Sequence, residues 1–163
     1  MRILVLCAGN IGRSPLAEAL IRSRLAQGLG VSEQQLEQRG VTVVSAGTDA
    51  PEGHPASRRG IAFAASRGLD LSDHVATQLT AEAVAEADLI YCMDRRQMDA
   101  VARLEPTAAG RTRLLAGEGI EIPDPHSQND EFFRDVAAQI EGAVADRAPE
   151  LMGRLSKSQS CMD

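Results

Sequence analysis

Aromatic residues are nearly absent from this chain, which has no tryptophan, one tyrosine and three phenylalanines in 163 residues. That removes the stacking platforms on which single-stranded nucleic-acid binders rely. Lysine is scarcer still: of the 17 basic residues, Lys157 alone is a lysine and the rest are arginines. Net charge is −6 and the isoelectric point lies near 5.1, so the basic footprint of a general nucleic-acid binder is missing too. Three cysteines, Cys7, Cys92 and Cys161, form an odd and scattered set. No disulfide framework is expected from them, and a reduced, cytoplasmic compartment is the default. No apolar run is long enough for membrane insertion, and the stretch opening the chain is too short for a signal core. His54, His74 and His126 are isolated, and without a CxxC or HxxxH spacing no zinc site is expected.

What is present is the material of a soluble globular protein, 44% hydrophobic and 25% charged. The length suits one domain, expected over residues 1–155, with Ser156–Asp163 as a disordered tail. Short apolar runs alternate with longer helical patterns. Ile3–Leu6, Val41–Val44, Asp88–Met93 and a weaker Thr112–Leu115 predict strands, with Ser45-Ala46-Gly47-Thr48 turning out of the second. Helices are expected from Pro15 to about Gly28, with Leu16, Ala19 and Leu20 on one face, and over Pro55–Arg67. Ala81–Ala87 (capped by Thr80), Arg95–Leu104 and Asp130–Leu155 complete the set. This alternation predicts an α/β fold, a parallel sheet with helices on both faces. In such sheets chemistry sits beyond the carboxyl ends of the strands. That rule selects Cys7–Ser14, Ser45–Thr48, Asp94 and Asp124.

The first of these segments is the most informative. Cys7-Ala8-Gly9-Asn10-Ile11-Gly12-Arg13-Ser14 is a C-x5-R-S loop joining a buried strand to a helix N-terminus. A loop of this length can wrap its backbone N–H groups around one tetrahedral oxyanion, with the helix dipole adding positive potential. The same field favours a cysteine thiolate. Arg13 offers a planar fork for two phosphate oxygens at once. Gly9 and Gly12 permit close backbone approach, and Asn10 tolerates a left-handed conformation. Two other phosphate loops do not fit: Walker A needs a lysine, and the dinucleotide fingerprint needs a third glycine. Taken alone, Cys7 reads equally as a buried small hydrophobe, and Asp124 between Pro123 and Pro125 as a turn residue. Asp94 reads as a helix cap, Tyr91 and Cys92 as core, and Phe132 and Phe133 as core with one able to edge a pocket.

CAGNIGRSP resembles the C-x-G-N-x-C-R-S-P signature of the low-molecular-weight protein tyrosine phosphatases. The likeness extends over nearly the whole chain through Ser45-Ala46-Gly47-Thr48, Leu79-Thr80, Cys92-Met93-Asp94 and Asp124-Pro125. The resemblance implies a four-stranded parallel sheet of flavodoxin-like order and a phosphomonoesterase that needs no metal or cofactor. It implies that Cys7 attacks phosphorus and that Arg13 and the backbone of Ala8, Gly9, Asn10, Ile11, Gly12 and Ser14 bind the oxygens. Asp124 would act as general acid and then base, and Ser14 would support the thiolate. Asn10, Ser14, Ser45 and His74 match the group that holds the family's loop in shape. Its implied partners are phosphotyrosine proteins and a tyrosine kinase.

The chain also departs from that pattern. Gly12 stands where the family commonly has a second cysteine. His126-Ser127 and Ala50-Pro51 replace the usual aromatic pocket walls, and Asp49 and Glu52 add negative charge there. Ile11 favours the tyrosine branch over the arginine phosphatases, which tend to carry threonine at that point. The alternatives are a phosphatase of another phospho-residue such as phosphoarginine, a thiol-linked arsenate reductase and a phosphate-binding regulator. A reductase needs two further cysteines within reach of Cys7. A regulator has no use for Asp124.

Overall fold

The structure, a computed structural model, describes residues 1–161. Four strands, β1 (Arg2–Cys7), β2 (Thr42–Gly47), β3 (Leu89–Cys92) and β4 (Thr112–Leu114), form one sheet of order β2-β1-β3-β4. Every pairing is parallel, so the expected class and flavodoxin-like order are both observed. Strand β1 lies at the centre and is buried on both faces, which explains its unbroken apolar run. The pleat divides it: Ile3, Val5 and Cys7 face one core layer, Leu4 and Leu6 the other.

The first layer is closed by α1 (Arg13–Leu29), α2 (Arg58–Ser66) and α5 (Asp130–Ser160), the second by α3 (Ala81–Glu86) and α4 (Arg95–Leu104). Helix α1 buries Leu16, Ala17, Leu20, Ile21 and Leu25, a broader face than the one expected from Leu16, Ala19 and Leu20. It is broader because α1 packs on the sheet on one side and on α5 on another. Gly30 ends α1 in the left-handed conformation at φ 67°, where a side chain would be strained. Ser57, Thr80, Asp94 and Asn129 cap α2, α3, α4 and α5 by accepting backbone N–H bonds. Tyr91 is wholly buried on β3, and burial pushes its phenol up to about 12.

Two expectations need correction. Ser45-Ala46-Gly47 is strand, not turn, because β1 continues to offer it partners: Val5, Leu6 and Cys7 pair with Ser45, Ala46 and Gly47. Residues 156–160 are the last turn of α5 and not a disordered tail. Leu151 and Leu155 anchor that end of the helix in the core. The hydroxyls of Ser156 and Ser160 bond back to the carbonyls of Met152 and Ser156, one turn earlier. The final part of the expected tail, 162–163, lies outside the described residues.

Candidate active site

The carboxyl ends of β1, β2, β3 and β4 bring the four selected segments together. Cys7 closes β1, the loop 8–12 follows, and α1 starts at Arg13. Asn10 adopts φ 53°, the left-handed conformation expected of it. Gly12 caps α1 without a side chain, and no acidic residue stands in the first turn. The N–H groups there are thus not satisfied by a cap of the chain's own. The glycine crowded by backbone atoms is Gly47. A Cβ there would lie 2.5 Å from the Ala8 carbonyl oxygen, whereas nothing lies within 4 Å of one at Gly12.

A directed chain of hydrogen bonds runs behind the nucleophile position. The Asn10 side-chain amide donates to Ser14 Oγ and to Ser45 Oγ, each at 2.9 Å, while its Oδ1 accepts from Thr77 N at 2.9 Å. With Ser14 Oγ accepting from Asn10, its own proton is free to point at Cys7 Sγ, 2.9 Å away. The Asn10 N–H also donates to Cys7 Sγ, at 3.1 Å. Two donors therefore converge on the sulfur. His74 Nε2 lies 2.6 Å from the Asn10 carbonyl oxygen, which can only accept, so this nitrogen carries the proton. The four residues expected to shape the loop, Asn10, Ser14, Ser45 and His74, thus form one network.

Glu18 completes it. Ser45 Oγ donates to Glu18 Oε2 at 2.6 Å, which orients the serine lone pairs toward Asn10. Burial raises the Glu18 carboxyl above its ordinary value, opposed by the Ser45 hydrogen bond and by His74 and Arg22. Sequence reading missed this residue. The signal was available, since Glu18 falls one helical turn after Ser14 and so shares its face.

Arg13 is almost fully buried. Its Nη1 donates to the Ile122 carbonyl at 2.8 Å and to Asp94 Oδ2 at 3.2 Å. Asp94 is the expected α4 cap, accepting from Arg96 N, and this bond to Arg13 is a second task for it. Arg13 Nη2 approaches Asp124 Oδ2 at 3.7 Å, and Asp124 Oδ1 accepts from His126 N. Arg59, also missed, reaches from α2 to hold the Asp124 loop: it donates to the carbonyls of Pro125 and Gln128 and lies 4.8 Å over the Phe133 ring.

Cys7, Ala8, Gly9, Ile11, Gly12, Arg13 and Asp124 line one cavity of about 330 Å³, completed by Asp49, Pro51, Ser57, Arg59, Pro125, His126 and Phe133. Of the residues expected at its walls, Ala50 and Ser127 are not among the lining, and Phe133 supplies one aromatic wall. Cys92 is fully buried in the layer across the sheet from Cys7, where burial, and then Asp94, pushes its thiol up.

Comparison with known proteins identifies a family and a fold. The family model described as low molecular weight phosphotyrosine protein phosphatase matches residues 2–160. The probable low molecular weight protein-tyrosine-phosphatase EpsP of Ralstonia nicotianae is 36% identical over 91% of this chain and 94% of its own. Etp of Escherichia coli, a low molecular weight protein-tyrosine-phosphatase, is 36% identical over 91% and 93%. Among solved structures, Vibrio vulnificus Wzb in complex with benzylphosphonate superposes with a TM-score of 0.79 at 31% identity, covering 91% of this chain and 97% of that one. The YwlE arginine phosphatase from Geobacillus stearothermophilus gives 0.80 at 29%, covering 96% of each. With the family model matched over nearly the whole chain and relatives of this identity covered almost end to end, this chain belongs to the low molecular weight phosphotyrosine protein phosphatases.

Proposed function

We propose that the chain hydrolyses phosphotyrosine in proteins, without a metal, through a phosphocysteine intermediate. The observation that carries this reading is the convergence on one cavity of three groups from separate elements: a sulfur held by two donors, a buried guanidinium, and a carboxylate facing it. The Cys7 thiolate attacks phosphorus as the bond to the tyrosine oxygen breaks. Arg13 spends Nη1 on Ile122 and Asp94, which leaves its Nε–Nη2 edge for two equatorial oxygens. The N–H groups of the loop from Ala8 to Ser14, apart from that of Asn10, which is spent on Cys7 Sγ, and the uncapped start of α1 receive the charge that develops there. Asp124 gives its proton to the departing phenolate. It then takes one from the water that attacks phosphocysteine, releasing phosphate and the thiolate. Ser14 donates to the sulfur in both steps.

Ile11 and Phe133 line the cavity with the apolar surface that suits an aromatic ring, which supports phosphotyrosine over phosphoarginine. Arsenate reduction is disfavoured because Cys92 points to the other side of the sheet. A tyrosine kinase would supply the substrate. The free thiols Cys7, Cys92 and Cys161 support a cytoplasmic setting, and no helix among the described residues is long and apolar enough to cross a membrane.

Leaving-group dependence tests the role of Asp124. Para-nitrophenolate departs without help, whereas a tyrosine phenolate of pKa about 10 needs a proton. In kcat/KM, which reports the first step alone, Asp124→Asn is expected to lose about tenfold more on a phosphotyrosine peptide than on para-nitrophenyl phosphate, a differential of about 1.4 kcal/mol. Equal losses on both substrates would remove Asp124 as the acid.

A further inference from the structure

A second groove, of about 310 Å³, lies against the active-site cavity between α2 and α5 and shares Arg59 and Phe133 with it as a common wall. Its other lining includes Phe63, Ser66, Asp130 and Arg134. We propose that this groove is a subsite for an acidic side chain flanking the reacting phosphotyrosine of the protein substrate. The proposal rests on the phosphotyrosine reading and adds to it a preference among substrates.

Position, charge and shape each support it. A neighbouring residue of an extended peptide lies only about 3.3–3.6 Å further along the chain, so a substrate seated at Cys7 passes over the shared wall. The groove holds two guanidinium groups against one carboxylate. Arg59 is already engaged by Pro125, Gln128 and, at 3.6 Å, Asp130. Arg134 is exposed and forms no ion pair among the described residues, so its charge is available. The rings of Phe63 and Phe133, each beneath an arginine, offer apolar surface for the methylenes of a glutamate. The loop after β2 carries the other sign: Asp49 lines the active-site cavity, and Glu52 follows it in the same loop, accepting from Gln78 N. An acidic flank is thus repelled by the Asp49 loop and attracted by Arg134. The arrangement matters in a chain of net charge −6, which would otherwise repel an acidic substrate.

The test uses matched phosphotyrosine peptides with glutamate, alanine or arginine at the positions flanking the tyrosine, each side in turn. Glutamate on one flank is expected to raise kcat/KM over alanine by about two- to fivefold, the range of an exposed ion pair, and the gain is expected to fade at high salt. Arg134→Gln should abolish the gain, and Arg134→Glu should transfer it to the arginine peptide. The proposal is overturned if glutamate on neither flank raises kcat/KM, or if the gain survives Arg134→Glu. Hydrolysis of phosphoarginine with no turnover of any phosphotyrosine peptide would instead overturn the phosphotyrosine reading, and the subsite with it.

Discussion

Gly47→Ala adds one methyl group outside the cysteine loop, and its consequence can be worked from distances. Gly47 sits at the end of β2 with ordinary strand backbone, so alanine there carries no conformational penalty. Its Cβ would meet three backbone atoms of the loop: the Ala8 oxygen at 2.5 Å, and Asn10 N and the Gly9 carbonyl carbon at 3.0 Å. None of these can rotate away as a side chain could. The loop is also tied to this strand, because Thr48 N and Asp49 N donate to the carbonyls of Cys7 and Ala8. Restoring a contact of about 3.4 Å requires a retreat of about 0.9 Å. A shift of that size lengthens an oxyanion hydrogen bond past its useful range, and losing one such donor costs about 100-fold, or about 2.7 kcal/mol of barrier. Stability should fall by only about 1–3 kcal/mol. The assay is kcat/KM for para-nitrophenyl phosphate beside urea unfolding, with Gly110→Ala, which meets no atom within 4 Å, as the comparison. Gly47→Ala within about threefold of wild-type kcat/KM would refute the reasoning, since ordinary experimental scatter and a lost donor differ by far more than that.

Glu18→Gln should make stability less dependent on pH in a defined direction. The buried carboxyl is raised above its ordinary value, so the native protein holds this proton more tightly than the unfolded chain. Its ionisation therefore costs stability, and the cost grows as pH rises from the unfolded value, about 4.3, to the raised native one. Urea unfolding of both proteins across that window should show the variant gaining on wild type as pH increases; a constant or shrinking difference would count against it. Peroxide should inactivate the protein beyond recovery by dithiothreitol, because a Cys7 sulfenic acid finds no thiol to trap it. Gly12 supplies none, Cys92 faces across the sheet, and Cys161 lies about 40 Å from Phe133 along α5. Full recovery after prolonged exposure would show that one of these cysteines reaches the site.

How much of this was legible in the sequence follows from how each part is assembled. The loop from Cys7 to Ser14 could be read because nucleophile, arginine and helix start are contiguous, and Asn10 carries its backbone requirement in its own identity. Strand β2 was shortened because Ser-Ala-Gly reads as a turn, and only pairing with β1 makes it strand. Arg59 was invisible for another reason: it acts on the Pro125 carbonyl, 66 residues away, and backbone acceptors leave no mark in a sequence. Phe133 belongs to the core and the cavity at once; the sequence offered one of Phe132 and Phe133 as a pocket edge, and only the packing of α5 selects which. Glu18 was legible only through its spacing of one helical turn from Ser14, since glutamate otherwise suits any helix. Asp124 gained its role from resemblance, since two flanking prolines describe any rigid turn.

The central claim is that the phosphoryl group passes through Cys7. Slowing the second step should make that species accumulate, and Asp124→Asn does so by removing the base that activates water while para-nitrophenyl phosphate still phosphorylates the thiolate. Mass spectrometry of the acid-quenched Asp124→Asn protein, taken during turnover, measures it directly. The account predicts one added phosphoryl group on the peptide that contains Cys7, lost again in Cys7→Ala. Steady turnover with no phosphoryl group on Cys7, or with one carried by another residue, would contradict it.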